Sequence, residues 1–273
     1  MSKKSKRAKQ NKGSYSQIQQ VDKWISLASQ QVQAYTKNYA GAIDTCQRLL
    51  SYLPQKSPKR AQVLDYLGTA YGMLQDFPQS YEAYTEAVSI SPHDAVLWYN
   101  RGFSSRFTLR IGQSVRDFER AVELNTDPEL AKQFANALKD SRELAEMAMK
   151  ERGPNFTLDQ LIEQESRYQL GLKHMEAGEW EEAIQAFRHS IEMADSLPQP
   201  WGNIGVCLIM QERYDEAEEA LKRALEIDPK YAIAKRNLAA LPETRRTGPP
   251  KAIGMTEPFK GSKLKQSLTF IRE

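Results

Sequence analysis

The side chains that could carry out chemistry are few in this chain and stand far apart. None of the histidines His93, His174 and His189 has a cysteine or a second histidine at the spacing of metal ligands. Cys46 and Cys207 fall within apolar stretches of helical periodicity, where a free cysteine behaves as a small hydrophobic residue. The residue types and spacing therefore predict no catalytic residue, no metal site and no cofactor.

Other motifs support the same prediction. The sequence contains neither the P-loop pattern nor the glycine pattern of dinucleotide-binding proteins. Gly261-Ser262-Lys263 lacks the strand and helix that would give a phosphate-binding loop its geometry. Acidic pairs such as Glu181-Glu182 are typical of a solvated helix face. These observations favour a binding protein over an enzyme.

Charge is distributed unevenly along the chain, although the net charge is only +3. Residues 1–12 contain six basic and no acidic residues, residues 242–273 contain seven basic and three acidic residues, and the part between them carries −7. We expect a disordered basic tail at 1–13 and a basic, flexible tail at 242–273. An alternative function follows, in which these tails make weak, salt-sensitive contacts with nucleic acid, a ribosome or another acidic surface. A purely solubilising role for the tails is an equal alternative.

Hydropathy predicts the compartment. No window approaches the roughly 18 apolar residues that a membrane span requires, and no apolar region follows the basic N-terminus. We therefore predict a cytoplasmic protein without a membrane span, or a nuclear one in a eukaryotic cell.

Glycines mark a repeat in the sequence. Gly68 and Gly102 are 34 residues apart, and Gly171 and Gly205 have the same separation. A period of this length is typical of stacked helix-turn-helix units, each of which needs neighbours to bury its apolar side. The elements that position any site should therefore be paired helices.

The clearest unit, residues 61–94, resembles the tetratricopeptide repeat. The matching residues are Leu67, Gly68, Tyr71, Tyr84, Ala87 and Pro92. Four further units keep parts of this pattern, and the unit at 95–128 departs from it at Arg101 and Ser105. The resemblance implies an all-α fold, a right-handed superhelical solenoid of antiparallel helix pairs.

The repeat register predicts the domain organisation. Thr157 with Gln160 forms a capping box that should begin a helix, and Pro242 should end the last one. The expected segments are a first array of about three repeats with a degenerate first unit (14–128), a long connecting helix and turn (129–157), and a second array of two repeats with a capping helix (158–241).

The resemblance also implies a peptide-binding groove, lined by the first helix of each pair. The groove residues it indicates are Asp65, Thr69, Tyr99, Asn100, Phe103, Arg106, Phe107, Tyr168, Leu172, Met175, Val206 and Met210. This surface would be apolar, aromatic and rich in methionine, so the expected partner is an apolar or amphipathic segment of a protein. The alternative is that Tyr99, Phe103 and Phe107 pack against the next repeat.

Two details refine the choice of ligand. Family members that bind a C-terminal carboxylate present lysine and asparagine where this chain has Asp65 and Thr69, and only Asn100 matches their pattern. Asp65 would repel a carboxylate.

In the C-terminal tail, Leu264, Leu268 and Ile271 fall on one helical face. This face could dock in the groove of the chain or in a partner, or it could belong to a disordered end.

Overall fold

The computed structural model describes residues 20–33 and 36–249, and over these residues the chain is all-α. Residues 20–32 are helical and are called α1. The helices that follow are α2 (Tyr39–Tyr52), α3 (Pro58–Met73), α4 (Phe77–Ile90), α5 (Ala95–Phe107), α6 (Ile111–Leu124), α7 (Pro128–Arg152), α8 (Leu158–Ala177), α9 (Trp180–Met193), α10 (Pro198–Met210), α11 (Tyr214–Ile227) and α12 (Ala232–Thr247). Consecutive helices pack in antiparallel pairs, which confirms the all-α solenoid fold predicted from the repeat.

Local sequence sets where the helices begin. Ser57 precedes α3, and its side chain accepts a hydrogen bond from the backbone N–H of Arg60. Thr157 and Gln160 form the predicted capping box at the start of α8, with hydrogen bonds in both directions. Such caps satisfy amide groups that have no partner within the helix.

The turn inside each pair uses a left-handed residue at one repeat position. The φ angles there are 65° at Gln75, 57° at Leu109, 74° at Gly178 and 60° at Glu212. Gln75 and Leu109 are 34 residues apart, as are Gly178 and Glu212, while Leu109 and Gly178 are 69 apart, and the glycines of the preceding helices have the same spacing. The chain therefore reverses direction by the same backbone conformation in each pair, whatever side chain is present.

Close approach of the paired helices requires glycine in the first helix. A Cβ atom at Gly68 would lie 2.8 Å from the Tyr84 ring, and one at Gly171 would lie 2.5 Å from the Phe187 ring. No side chain fits at such distances without displacing the opposite ring. The recurring glycines thus mark the positions where the paired helices come closest.

The described residues divide into two compact units. The first contains residues 20–33, 36–108 and 113–139, and the second contains residues 109–112 and 140–249. In the first unit, one small apolar cluster joins α1 and α2 to α3 through Val32, Tyr39, Ala42 and Ala70.

The second unit has a continuous apolar core. Ile184, Phe187, Ile204, Leu208 and Leu221 lie within it, all almost fully buried. They come from α9, α10 and α11, so the core passes through both helix pairs of the unit.

The last helix extends beyond its predicted end. α12 contains Pro242 and continues to Thr247, whereas the sequence analysis ended the helix at Leu241 and began the tail at 242. Within this extension the Arg245 guanidinium forms ion pairs of 2.7 Å with Asp215 and 3.1 Å with Glu218 on α11. Because these pairs lie at the surface, they contribute little to the stability of the final turn.

Candidate functional site

The first unit contains a cleft of about 340 Å³ between α1, α3 and α5. These are the helices that the repeat pattern places on the groove side. The side chains lining the cleft are Ser29, Val32, Gln33, Pro58, Lys59, Ala61, Gln62, Asp65, Tyr66, Thr69, Ser91, Asp94 and Leu97. Polar groups outnumber apolar ones in this set, so the cleft differs from the apolar groove expected from the sequence.

Two of the predicted groove residues, Asp65 and Thr69, line this cleft. The Asp65 carboxylate accepts a hydrogen bond of 3.4 Å from the side-chain amide of Asn100. Asn100 itself is fully buried, so it positions Asp65 and is not part of the surface. Thr69 is also buried, and its hydroxyl lies 2.8 Å from the Tyr84 hydroxyl.

Charged side chains at the cleft have partners within the fold. Asp65 and Asp94 both line it, and the ammonium group of Lys59 forms an ion pair with Asp22 on α1. Asp94 caps α5, where its carboxylate accepts hydrogen bonds from the backbone N–H groups of Val96 and Leu97.

The aromatic residues predicted for the groove lie in the core instead. Tyr99 is 4% exposed because its ring stacks on Phe134 of α7, with centroids 4.8 Å apart. Phe103 is 5% exposed and contacts Phe107, whose ring stacks on Phe77 at 4.3 Å. In the structure these rings thus pack between neighbouring helices, and their part in a groove stays a prediction.

Arg106 keeps partial exposure. It follows the buried rings on α5, and its guanidinium carbon lies 6.0 Å from the centroid of the Phe118 ring. The side chain thus lies against an aromatic ring of α6 and not in the cleft.

The predicted groove residues of the second unit divide into buried and half-buried groups. Tyr168 and Met175 are each 8% exposed and belong to the core, and the Tyr168 hydroxyl accepts a 3.2 Å hydrogen bond from Asn203. Burial raises the pKa of Tyr168, so the phenol stays protonated.

The three remaining residues are half-buried. Leu172 and Val206 pack at the edge of the apolar core, and Met210 follows Val206 by one helical turn. Methionine and aliphatic side chains in this position act as core filler. The cleft in the first unit is therefore the better candidate site.

A buried polar cluster in the first unit was missed by sequence reasoning. The Arg101 guanidinium donates two hydrogen bonds, of 2.5 and 3.1 Å, to Asp117, whose side chain is fully buried. Ser105 and Gln113 also donate to this carboxylate, at 3.1 and 2.8 Å. Burial raises the pKa of Asp117, and these donors oppose the shift. The signal in the sequence was the pair of departures at Arg101 and Ser105, four residues apart.

The thiols are suited to packing and not to nucleophilic chemistry. Burial raises the pKa of Cys46 and of Cys207 from 9.0 to about 12, and neither side chain is exposed. At neutral pH both thiols stay protonated, and the thiol is not the nucleophilic form.

The imidazole of His174 has a partner within the fold. A ring nitrogen of His174 lies 2.6 Å from a Glu179 carboxylate oxygen at the end of α8.

Among residues 20–33 and 36–249, no three histidine, cysteine or acidic side chains are placed to hold a metal ion. In the same ranges no helix is long and apolar enough to cross a bilayer. The basic segment 1–12 and the stripe at Leu264, Leu268 and Ile271 lie outside the described residues.

Comparison with known proteins identifies one repeat directly. Residues 198–231, which contain α10 and α11, match the family model of the tetratricopeptide repeat. No curated protein sequence matches the chain.

Several solved structures resemble the chain distantly. They include the TPR domain of P58(IPK) (12% identity, TM-score 0.44, covering 83% of this chain and 66% of that chain). The TPR2AB-domain:pHSP90 complex of yeast Sti1 has 14% identity and a TM-score of 0.39, with 84% and 85% covered. YrrB, described as a TPR protein with an unusual peptide-binding site, has 18% identity and a TM-score of 0.35, with 78% and 89% covered. These values are too low to transfer a ligand or partner to this chain.

Proposed function

Because this chain is a tetratricopeptide-repeat protein, we propose that it is a non-enzymatic adaptor or assembly factor whose cleft in the first unit binds a segment of another protein. The cleft between α1, α3 and α5 carries this proposal. Its volume of about 340 Å³ accommodates a few side chains of a peptide and not a folded domain.

The lining of the cleft favours an amphipathic segment. Its apolar members Val32, Ala61 and Leu97 are almost fully buried, whereas Gln62 is exposed and Asp65 is half-buried. An entirely apolar segment would leave these polar groups without water or a partner, at a cost in binding free energy. The ligand we propose therefore turns hydrogen-bonding side chains towards Gln62 and Asp65.

Two experiments in sequence test this function. In the first, a photoreactive residue at exposed Gln62 on α3 identifies the partner in cell extract, and the same residue at exposed Glu82 on α4 is the control. The affinity of the purified partner would then be measured for Ser29→Trp, which fills the cleft, and for Ser26→Trp, which lies on the same helix outside it.

We expect Ser29→Trp to weaken binding about tenfold or more, which corresponds to about 1.4 kcal/mol, and Ser26→Trp to leave it unchanged. Equal binding by both variants would place the partner elsewhere and contradict the proposed site. Circular dichroism of both variants controls for loss of fold.

A cytoplasmic location and binding of nucleic acid by the basic ends stay predictions from the sequence. The salt dependence of capture distinguishes the two functions, because contacts with phosphates weaken steeply with salt.

A further inference from the structure

Two aromatic side chains meet at the surface of the α1–α2 pair in the first unit. Tyr52, at the end of α2, is 70% exposed and is the most exposed large apolar side chain that the structure describes. Its ring centroid lies 6.2 Å from that of half-buried Trp24 on α1. Leu27, one turn further along α1, is 43% exposed. We call these three side chains the aromatic patch. None of them lines the cleft.

Other rings of the chain have a cation from the fold against them. The Arg101 guanidinium carbon lies 4.5 Å from the centroid of the Trp98 ring, and that of Arg245 lies 5.8 Å from the Tyr214 ring. Within the part of the chain that the structure describes, no arginine or lysine covers the Tyr52 ring in this way. Most of this ring is therefore open to a planar ligand.

Positive charge is concentrated in the same part of the chain. Residues 1–60 contain twelve basic and only two acidic residues, and the rest of the chain has a net negative charge. Half of the twelve lie in residues 1–12, which the uncharged residues 13–19 connect to α1. Lys12 lies within about 28 Å of Gln20 in any conformation of this connection. The charge thus stays near the aromatic patch and favours an anionic partner there.

The folded part of this region adds to the positive charge. Its two carboxylates, Asp22 and Asp44, each form an ion pair with a basic side chain. Lys23, which precedes Trp24, and Lys56, which follows α2, are exposed and form no ion pair among the described residues. The local surplus of charge is therefore positive.

We propose that the aromatic patch binds a single strand of nucleic acid. A base stacks on the open face of Tyr52, with Trp24 beside it, and the phosphates contact Lys23, Lys56 and the segment at 1–12. An unpaired strand offers the flat apolar faces and the anionic backbone that this region complements. A duplex fits less well, because its bases stack on one another. The site is separate from the cleft, so the inference goes beyond the proposed function and does not rest on it.

Substitution of Tyr52 tests the stacking contact. The full-length protein is titrated into a labelled RNA strand and into a DNA strand of the same sequence, and fluorescence anisotropy reports binding. Tyr52→Ala should weaken binding about tenfold, since stacking of one base contributes on this scale, whereas Tyr52→Phe keeps the ring and should bind normally. Leu74→Ala removes a 51% exposed side chain of the same unit and should have no effect. A loss with either strand supports the site, and the strand that binds more tightly identifies its source.

The salt dependence distinguishes stacking from charge. Contacts with phosphates determine how steeply the affinity falls with salt concentration. A stacked base adds affinity without adding a phosphate contact, so Tyr52→Ala should lower the affinity by the same factor at every salt concentration. A loss that disappears at high salt would show that the substitution disturbs phosphate contacts, and would contradict stacking.

Cross-linking locates the bound base. On irradiation, 5-iodouridine in the RNA strand joins to an aromatic side chain that contacts the base. The product should form at Tyr52 or Trp24 and not at Tyr81, a half-buried ring on α4 of the same unit. The duplex of the same strand should give little product. Products at other positions only would overturn the inference.

Two further results would overturn it. Equal binding of the strand and the duplex, both unaffected by Tyr52→Ala, would assign the binding to the charge of residues 1–12 alone. A photoreactive residue at Tyr52 that captures a protein and no RNA from cell extract would assign the patch to a protein partner.

This inference and the proposed function can fail separately. Ser29→Trp, which fills the cleft, should bind the RNA strand as the natural chain does. If Ser29→Trp loses the protein partner while Tyr52→Ala binds RNA normally, the proposed function stands and this inference fails. If Tyr52→Ala weakens RNA binding while Ser29→Trp keeps the partner, the reverse holds.

Discussion

At the scale of single residues, Arg101 shows how a departure from the repeat pattern can be structural. The same position is occupied by Leu67 in the preceding repeat (residues 61–94) and by Ile204 in the last repeat (residues 198–231). The position of Asp117 is occupied in the preceding repeat by Ala83, which is buried. Two positions that are apolar in the preceding repeat thus hold an ion pair, and its two side chains form hydrogen bonds with each other. Burial of the pair costs desolvation energy, and the four hydrogen bonds to Asp117 offset it.

Removal of one partner of this pair should destabilise the protein strongly. Asp117→Ala leaves the Arg101 guanidinium buried without its carboxylate, at an expected cost of about 3–5 kcal/mol in the free energy of unfolding. The double variant Arg101→Leu/Asp117→Ala restores the residue types of the preceding unit and should lose much less. Urea denaturation of the two variants measures the difference. A double variant as unstable as the single one would show that the charges are not the cause.

The buried thiols predict a pH dependence of stability. Their folded pKa of about 12 exceeds the unfolded value of 9.0, so the folded state holds these protons more tightly. This contribution is fully present below pH 9 and is lost as the pH rises from about 9 to about 12. At pH 10 the expected loss is about 1 kcal/mol for each thiol.

The matched variant for this prediction is Cys46→Ala/Cys207→Ala. Its free energy of unfolding should fall less between pH 8 and pH 10 than that of the natural chain, by denaturation at each pH. Tyrosines are present in both proteins and cancel in the comparison. Identical slopes would show that the thiols ionise as freely in the folded state as in the unfolded one.

At the scale of helices and turns, the same left-handed backbone conformation recurs in the turns of four helix pairs, whereas the residue type that adopts it differs from turn to turn. Gly178 adopts it without cost, whereas Gln75, Leu109 and Glu212 adopt a conformation that costs a residue with a Cβ about 1 kcal/mol. Leu109 also packs at the edge of the apolar core of the second unit, which offsets its backbone cost.

Substitutions in these turns should affect stability differently at glycine and at non-glycine positions. Gly178→Ala should lower the free energy of unfolding by about 1 kcal/mol, because its φ of 74° is unfavourable for alanine. The space around the new Cβ is open, with the nearest atom 3.9 Å away on Trp180. Glu212→Gly should stabilise the protein slightly or leave it unchanged. Thermal or urea unfolding measures both effects.

Asparagine provides the control for this turn, because it tolerates left-handed backbone better than alanine. Gly178→Asn should therefore be more stable than Gly178→Ala. The reverse order would mean that side-chain size and not backbone conformation determines the effect.

The sequence predicted the helices better than the surface they form. The 34-residue period located the helix pairs because each unit must bury one apolar side, and Thr157 located the start of α8 because its cap is local. The exposure of Tyr99 could not be predicted in this way, since it depends on Phe134 in the next helix. Similarly, Pro242 is a local stop signal, but α12 continues past it to Thr247, where Arg245 contacts α11.

At the scale of the whole chain, the acidity of the body is confined to one unit. The described residues of the first unit contain twelve basic and twelve acidic residues, whereas those of the second contain fifteen basic and twenty-one acidic residues. The cleft therefore belongs to a unit whose described residues carry no net charge.

Salt should separate binding in the cleft from binding by the N-terminal segment. Partner capture through the cleft should persist at high ionic strength, because apolar contacts contribute and surface charge is screened. Any retention of single-stranded RNA should fall with a log–log slope of up to about −4 for six neutralised phosphates, and deletion of residues 1–12 should abolish it. Filter binding at a series of salt concentrations measures the slope. RNA retention that survives the deletion would assign it to the folded part.

The polar cluster around Asp117 has a consequence for how this chain can evolve. Arg101, Ser105 and Gln113 all lie with Asp117 in residues 95–128. A duplication or recombination event that copies this 34-residue block carries the complete cluster with it, whereas a point mutation at either charged position meets a stability barrier. We therefore expect the charged pair of the repeat at 95–128 to be gained or lost through exchange of whole repeats more readily than through successive single changes.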